Sequence, residues 1–188
     1  DKSGGIVFDV KCSNHLENII SSNGGKPIMS PTGHFHIKNA IKKNNALLGG
    51  EMSGHIFFND KWYGFDDGIY VFLRFLEILS NEPDLINHLS DLPETYTTSE
   101  IDIAFQENNH FEFMERFIEN NDFNDYKVSY LDGIKITDEN SWGLIRASNT
   151  SPKITLRFEA LSENSLINIK NEIKNAILKI DNTIELPF

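Results

Sequence analysis

The segment that decides how this chain is interpreted is Leu47–Phe58, LLGGEMSGHIFF. It places a carboxylate, a hydroxyl and an imidazole, those of Glu51, Ser53 and His55, at alternate positions between two apolar runs. In an extended segment, side chains two residues apart point to the same side. The spacing therefore predicts that the three polar groups face one cleft. A helix-capping loop with exposed polar side chains is the alternative interpretation.

Strand-like and helix-like segments alternate on the amino-terminal side of this stretch. Residues 5–11 (GIVFDVK), 26–30 (KPIMS) and 46–50 (ALLGG) are short apolar runs typical of buried strands. Between them lie two segments with helical spacing of apolar residues, the first with a capping-box pattern at Asn14 and the second beginning near His34. This order predicts a small three-layer α/β domain with a mainly parallel sheet.

The carboxyl-terminal half has a different pattern of apolar residues. Residues 81–99 contain two prolines and few periodic apolar positions, which predicts a junction between a domain at 1–94 and a domain at 95–188. Beyond it, strand-like runs cluster around a hairpin signal at Asp132-Gly133, and a long amphipathic helix capped by Ser162 closes the chain. Grouped strands between two helices predict an α+β domain with an antiparallel sheet and packed helices.

Composition restricts the class of protein. The 188 residues include 17 Lys and Arg against 28 Asp and Glu, a net charge of −11, so neither nucleic acid nor an anionic membrane is an expected partner. The single cysteine, Cys12, excludes an internal disulfide and fits a reducing cytoplasm. The chain opens without Met and leads directly into a strand. We therefore expect it to be part of a longer polypeptide.

A second polar constellation is RASNTSP, residues 146–152. Arg146 and Ser148 share one face of a predicted strand, and Asn149 and Thr150 follow in a turn that Pro152 ends. A guanidinium, two hydroxyls, an amide and turn N–H groups suit an oxyanion such as phosphate. The alternative interpretation is an ordinary hairpin with a charged base.

Lys11 and His34 complete the candidate site. Lys11 ends the first predicted strand, and His34 begins the second predicted helix. Ligands of α/β sheets bind at the carboxyl ends of parallel strands, and helix amino termini favour anions. Either side chain is otherwise a solvated surface group. No His/Cys cluster has the spacing of a zinc site, and neither a P-loop nor a GxGxxG motif is present.

Together these motifs resemble the α-D-phosphohexomutases. GGEMSGH is similar to the sugar-binding loop of that family, and RASNTSP with LRFEA is similar to its phosphate-binding loop. FDVKCS, PTGHFHIK and WYGFDDGIY resemble the bacterial phosphomannomutase/phosphoglucomutase branch. Only the third and fourth of the family's four domains are represented. The phosphoserine loop of the TASHNP type and the magnesium loop of the DGDGDR type are absent.

The resemblance implies an isomerase of carbohydrate metabolism, a phosphoprotein that interconverts hexose 6-phosphates and hexose 1-phosphates. It implies hexose 1,6-bisphosphate as the intermediate, and Mg²⁺ bound by the missing domains, so the chain alone is expected to be inactive. No catalytic nucleophile is expected in this chain, while His34 or His55 would assist proton transfer. The implied substrate-binding residues are Lys11, His34, Glu51, Ser53, His55, Arg146, Ser148, Asn149 and Thr150.

Two alternatives stay open at this point. The chain could serve as a non-catalytic sugar-phosphate-binding module without the phosphoserine and metal domains. It could also be an interaction protein whose loops match by coincidence. The first alternative predicts sugar-phosphate binding without turnover, and the second predicts no binding.

Overall fold

The computed structural model describes residues 4–82, 84–90, 92–106 and 109–188. The chain divides into two compact units, Asp1–Pro93 and Glu94–Phe188. The first contains β1 Gly5–Asp9, α1 Asn14–Ser22, β2 Lys26–Ser30, α2 His34–Asn44, β3 Leu48–Gly50, β4 Ile56–Phe58, α3 Gly68–Asn81 and α4 Leu85–Ser90. The second contains β5 Tyr96–Thr97, β6 Ile101–Ala104, α5 Asn109–Asn120, β7 Lys127–Ser129, β8 Ile134–Thr137, β9 Ser141–Ala147, β10 Lys153–Ala160 and α6 Glu163–Ile180. Among the described helices, none has the length and apolar character needed to cross a membrane.

The first unit is built on a four-stranded sheet in the order β2-β1-β3-β4. β1 pairs in parallel with both β2 and β3, and only β4 is antiparallel to its neighbour. The predicted mainly parallel α/β sheet is therefore confirmed. α2 packs on one face of this sheet, where Ile37 and Ile41 join Val7, Ala46 and Phe57 in a buried core.

The connection between β3 and β4 is a hairpin turn, so the prediction of an extended segment there is wrong. The amide of Glu51 donates to the carbonyl of His55 at 2.9 Å, and the amide of Gly54 donates to the carbonyl of Glu51 at 2.9 Å. Gly54 has a φ of 92°, which a residue with a side chain rarely adopts. The two apolar runs on either side pair with each other, and this pairing reverses the chain between them.

Two smaller differences concern helices. The cap of α1 is Ser13, whose hydroxyl accepts from the amide of His15 at 3.2 Å, whereas the sequence pattern had suggested Asn14. The short helix α4 lies in the stretch for which the sequence predicts no element. Six residues are too few to display a clear apolar period, so this helix leaves little signal in the sequence.

The second unit has an antiparallel sheet in the order β5-β10-β9-β8-β7, with β6 also pairing with β10. All of its strand pairs are antiparallel, and α5 and α6 contact β9. The predicted α+β architecture is thus confirmed. Its buried core includes Phe117 from α5, Ile145 and Leu156 from the central strands, and Ile169 and Ile173 from α6.

The turn between β7 and β8 depends on Gly133, and we expect Gly133→Ala to destabilise the second unit. Gly133 has a φ of 72°, and an added Cβ would overlap the carbonyl oxygen of Ile145 and lie 2.7 Å from the Cα of Arg146. A residue with a side chain is strained in the left-handed region, and its Cβ here also overlaps backbone atoms. Together these two effects lower the free energy of unfolding by about 3 kcal/mol.

Hydrogen exchange of the β8 and β9 amides measures this loss for the second unit alone. Gly68→Ala is the matched control, since its Cβ would meet nothing within 4 Å. Unchanged protection of β8 and β9 in Gly133→Ala would contradict the argument.

Candidate functional site

Asp9 organises the carboxyl edge of the first sheet. It ends β1 and is fully buried. Its Oδ1 accepts from the amide of Met52 at 3.3 Å and from the thiol of Cys12 at 3.2 Å. Its Oδ2 accepts from the hydroxyl of Thr32 at 3.5 Å. One carboxylate therefore ties the β3–β4 hairpin to the loops that follow β1 and β2. Asp9 is absent from the predicted site residues, although an acid inside an apolar run was a usable signal.

At this edge, three side chains come together: His34 at the start of α2, His55 just before β4, and Asp66 between β4 and α3. The Nδ1 of His55 lies 2.7 Å from an Asp66 carboxylate oxygen, and the Nε2 of His34 lies 3.6 Å from the same oxygen. The two imidazole rings make an edge contact with centroids 4.4 Å apart. A single backbone bridge between Phe57 and Asp66 holds the carboxylate beside the hairpin. The predicted pair His34 and His55 thus lies in one cluster.

Asp66 is a site residue that the sequence pattern does not identify. The next residue, Asp67, caps α3: its Oδ1 accepts from the amides of Ile69 and Tyr70. Asp66 instead binds His55. Adjacent carboxylates with different partners look alike in a sequence.

The contact between Asp66 and His55 has a chemical consequence. A carboxylate accepts hydrogen bonds, so the Nδ1 of His55 donates the proton. In the neutral ring this leaves Nε2 as the acceptor. The side chain of His55 is 45% exposed, so that nitrogen is within reach of a ligand hydroxyl. The arrangement can therefore move a proton to or from a bound substrate.

The same three residues are the one group among the described residues whose ligand atoms lie within 4.8 Å of one another and could hold a metal. Two imidazoles and one carboxylate suit zinc or a similar transition metal. Mg²⁺ prefers six oxygen ligands, several of them water. The cluster does not fit the Mg²⁺ that the family resemblance implies, and the hydrogen bond between Asp66 and His55 accounts for its geometry without an ion.

Glu51 and Ser53 lie on the hairpin turn. The hydroxyl of Ser53 donates to Oε2 of Glu51 at 3.4 Å. The other oxygen, Oε1 of Glu51, is buried and has no hydrogen-bond partner among the described residues. A carboxylate so placed accepts hydrogen bonds from hydroxyl groups.

Lys11, two residues beyond β1, is only 6% exposed. It is therefore not the solvated surface group of the alternative interpretation.

In the second unit, the β9–β10 loop carries the polar residues that the sequence singles out. The amide of Thr150 donates to the hydroxyl of Ser148 at 3.3 Å, and the amide of Ser148 closes the hairpin on the carbonyl of Lys153 at 2.9 Å. Ser148 is buried, whereas Asn149 and Thr150 are exposed. The loop thus has a fixed base and an accessible tip.

Buried His110 supports this loop from α5. Its Nε2 donates to the carbonyl of Ser148 at 3.1 Å, and the side chain is 2% exposed. The sequence assigns His110 no particular role, because its partner is 38 positions away. The bond anchors the base of the loop to the helix.

Arg146 is buried in an ion pair. Its Nε donates to Oδ2 of Asp132, in the β7–β8 turn, at 2.9 Å, and the two side chains are 9% and 13% exposed. A guanidinium has four further N–H donors on its two terminal nitrogens. The pair therefore fixes the orientation of the guanidinium at the base of the β9–β10 loop. This geometry is compatible both with an anion-binding role and with the charged hairpin base of the alternative interpretation.

An α/β unit followed by an antiparallel α+β unit, with a polar loop on each, is the architecture of the carboxyl-terminal half of a phosphohexose mutase. Comparison with known families gives the same result. Residues 1–96 match phosphoglucomutase/phosphomannomutase, alpha/beta/alpha domain III, and residues 106–176 match the C-terminal domain of that family. The chain belongs to the phosphoglucomutase/phosphomannomutase family.

Similarity to individual proteins supports the same family assignment. The phosphomannomutase/phosphoglucomutase of Pseudomonas aeruginosa is 43% identical over 97% of this chain. A crystal structure of a family protein from Burkholderia thailandensis superposes with a TM-score of 0.90 at 36% identity, over 99% of this chain. The N-acetylphosphoglucosamine mutase of Aspergillus fumigatus, in complex with GlcNAc-6P and magnesium, shares the fold at a TM-score of 0.65, 14% identity and 94% coverage. The chain spans 40%, 40% and 39% of these proteins, respectively.

Proposed function

We propose that this chain is the substrate-contacting, carboxyl-terminal part of a phosphomannomutase/phosphoglucomutase, which interconverts hexose 6-phosphates and hexose 1-phosphates through hexose 1,6-bisphosphate. The observation that carries the proposal is that His55, oriented by Asp66, lies on the same hairpin as Glu51 and Ser53. A polar hairpin of this kind offers both hydrogen-bond acceptors for sugar hydroxyls and a group that moves protons.

In the first unit, Glu51 and Ser53 bind hydroxyl groups of the sugar. The unpartnered Oε1 of Glu51 would gain a hydrogen bond after a small rotation of the carboxylate. His55 exchanges a proton with the hydroxyl that gains or loses phosphate, while Asp66 holds its ring in place. His34, in edge contact with His55, and Lys11 contribute further donors.

In the second unit, Arg146, Ser148, Asn149 and Thr150 bind the phosphate that is not being transferred. The exposed tip of the loop and the guanidinium supply donors suited to a phosphate group. A bisphosphate intermediate carries a phosphate at each end of the sugar and must turn around between the two half-reactions. One fixed phosphate site serves both orientations. Glucose and mannose differ only at C2, so contacts elsewhere on the ring admit either sugar.

The phosphoryl donor and the metal belong to the preceding part of the longer protein in this proposal. Mg²⁺ would there stabilise the charge of the transferring phosphoryl group. This chain alone binds phosphorylated hexose weakly and does not turn it over. The acidic charge of −11 and the single cysteine favour a cytoplasmic enzyme without nucleic-acid or membrane partners.

Binding of glucose 1-phosphate to the ¹⁵N-labelled chain tests the proposal. We expect amide shifts at residues 51–55 and 148–151 with a Kd in the millimolar range, because only part of the binding surface is present. Inorganic phosphate is expected to shift the second loop alone. Glu51→Gln together with Ser53→Ala is expected to abolish the shifts at 51–55 without unfolding the chain, since both side chains lie on a turn.

Two outcomes would redirect the interpretation. Absence of shifts at both loops at saturating glucose 1-phosphate would contradict the proposal and favour an interaction protein. Binding without turnover by the longer polypeptide would favour the second candidate, a sugar-phosphate-binding module. The longer polypeptide is assayed by coupling the formation of glucose 6-phosphate to its oxidation.

A further inference from the structure

The cluster of His34, His55 and Asp66 has nearly the spacing of a zinc site. The Nδ1 of His55 and the Nε2 of His34 lie 2.7 Å and 3.6 Å from the same carboxylate oxygen of Asp66, and the ligand atoms of the three residues all lie within 4.8 Å of one another. Tetrahedral zinc with bonds of about 2.0–2.2 Å places its ligand atoms about 3.3–3.6 Å apart. Side-chain rotations that move these atoms by about 1 Å are therefore enough to enclose the ion.

The fold holds the three side chains close to these positions. His34 is the first residue of α2, and its ring makes an edge contact with the ring of Phe57 at 5.3 Å between centroids. Phe57 is fully buried. His55 directly precedes β4, and a backbone bridge joins Asp66 to Phe57 in that strand. Because the ligands are already positioned, binding an ion costs little conformational entropy.

The cluster is also accessible from solvent. The side chains of His34 and His55 are 43% and 45% exposed, and that of Asp66 is 27% exposed. An ion reaches the three ligand atoms without unfolding of the chain, and a water molecule can take a fourth coordination position. Two imidazole nitrogens, one carboxylate oxygen and one water are a ligand set suited to zinc.

We propose that His34, His55 and Asp66 bind a zinc ion that inhibits proton transfer by His55. In the structure, the Nδ1 of His55 donates its proton to Asp66, which leaves Nε2 as the acceptor. Zinc bonds to Nδ1 through the lone pair that this proton occupies. Nδ1 gives its proton to solvent and Nε2 takes one up, so the ring stays neutral. Protonated Nε2 then has no lone pair with which to accept a proton from a hydroxyl group.

This ion differs in ligands and location from the Mg²⁺ of the proposed function. Mg²⁺ prefers oxygen ligands, and the magnesium loop of the DGDGDR type is absent from this chain. Zinc bound by the 188-residue chain therefore cannot be zinc that has replaced Mg²⁺ in that loop. Zinc binding itself is independent of the proposed function, whereas the inhibition rests on it.

Isothermal titration of the 188-residue chain with zinc chloride tests the binding. We expect one ion per chain with a Kd in the micromolar range, unchanged by a large excess of Mg²⁺. His34→Gln and Asp66→Asn should each raise this Kd at least about tenfold, because even residues that only support a metal ligand contribute that much. His36→Gln is the matched control, since His36 lies on α2 outside the cluster, and should bind zinc normally.

The tautomer of His55 provides a second measurement on the same chain. ¹⁵N shifts should report the proton on Nδ1 before zinc is added and on Nε2 at saturating zinc. Cys12 is the nearby thiol, with its Sγ on the carboxylate of Asp9. Cys12→Ser should leave both the zinc affinity and the change of tautomer unaltered, because the thiol is not one of the proposed ligands.

Inhibition is measured in the longer polypeptide at a constant excess of Mg²⁺. Zinc should lower the rate of glucose 6-phosphate formation, and His34→Gln should need at least about tenfold more zinc for half-maximal inhibition. Equal zinc sensitivity of this variant and the unmodified enzyme would overturn the inhibitory role.

Other results would overturn the site itself. These are equal zinc affinity of the unmodified chain and Asp66→Asn, a proton that stays on Nδ1 at saturating zinc, or loss of zinc binding in Cys12→Ser. Zinc binding as expected in a chain that fails to bind glucose 1-phosphate would support the metal site and contradict only the proposed function.

Discussion

Replacing His55 with glutamine in the longer polypeptide is expected to lower kcat for the conversion of glucose 1-phosphate by roughly 10²- to 10⁴-fold. Glutamine keeps a polar side chain of similar length but cannot accept and release a proton near neutral pH. KM should change much less, because other residues of the two loops hold the sugar phosphate. The measurement is steady-state kinetics in the direction of glucose 6-phosphate.

Asp66→Asn is expected to give a smaller loss, roughly 10- to 100-fold, because it removes a charge-assisted hydrogen bond without removing the imidazole. A signature independent of activity is the tautomer of His55. In the unmodified chain, ¹⁵N shifts should report the proton on Nδ1, and in Asp66→Asn they should report a mixture of tautomers. This experiment uses the 188-residue chain itself.

His36→Gln is the matched control for both variants. His36 lies on α2 two residues after His34, and its ring contacts Phe35 and is not part of the cluster at Asp66. Its kcat should match that of the unmodified protein. A His55→Gln enzyme that retains more than about half of the original kcat would exclude His55 from proton transfer, whatever the fate of the sugar-binding role.

The strands of the first sheet were predictable because they are short apolar runs bounded by turn residues. KPIMS ends at a Pro-Thr-Gly turn and coincides with β2. ALLGG ends in glycines at the end of β3, but only Leu48–Gly50 of the predicted run is a strand. The second unit was predictable for a related reason. Strand-like runs around Asp132-Gly133 and Ser148–Pro152 are joined by hairpin signals, which forces antiparallel pairing.

The geometry of the candidate site was less accessible. Alternating polar residues at Glu51, Ser53 and His55 fit an extended strand and a tight turn equally well, and pairing between β3 and β4 decides in favour of the turn. The approach of Asp66 to His55 depends on a backbone bridge to Phe57, which is a tertiary contact. No local pattern encodes it.

The ion pair between Arg146 and Asp132 could not be predicted from the sequence either. Arg146 and Asp132 are separated by 14 positions, and they meet because the β7–β8 turn and the end of β9 lie side by side in the sheet. The polar residues that follow Arg146 in the sequence identified it as a candidate for anion binding. They could not reveal that its Nε already donates a hydrogen bond to the carboxylate of Asp132. The pair consequently links the stability of the second unit to the proposed phosphate site.

A conservative substitution of Arg146 tests its role in phosphate binding. Arg146→Lys should raise the Kd for glucose 6-phosphate by roughly 10- to 100-fold, because a lysine retains the charge but loses the planar set of donors. The ion pair with Asp132 can persist, so the melting temperature should fall by only a few degrees. Arg116→Lys, on α5 with its guanidinium on the carbonyl of Ile180, is the matched control and should bind normally.

A substitution that removes the charge of Arg146 distinguishes a role in ligand binding from a role in the stability of the second unit. Arg146→Met leaves the half-buried carboxylate of Asp132 without the guanidinium, and the second unit should lose about 2–3 kcal/mol of unfolding free energy. Adding Asp132→Asn should restore most of that stability, since an amide tolerates the loss of the guanidinium better than a carboxylate does. The double variant should still bind glucose 6-phosphate as poorly as Arg146→Met, measured by amide shifts at residues 148–151. Recovery of binding together with stability would mean that Arg146 supports the fold and does not contact phosphate.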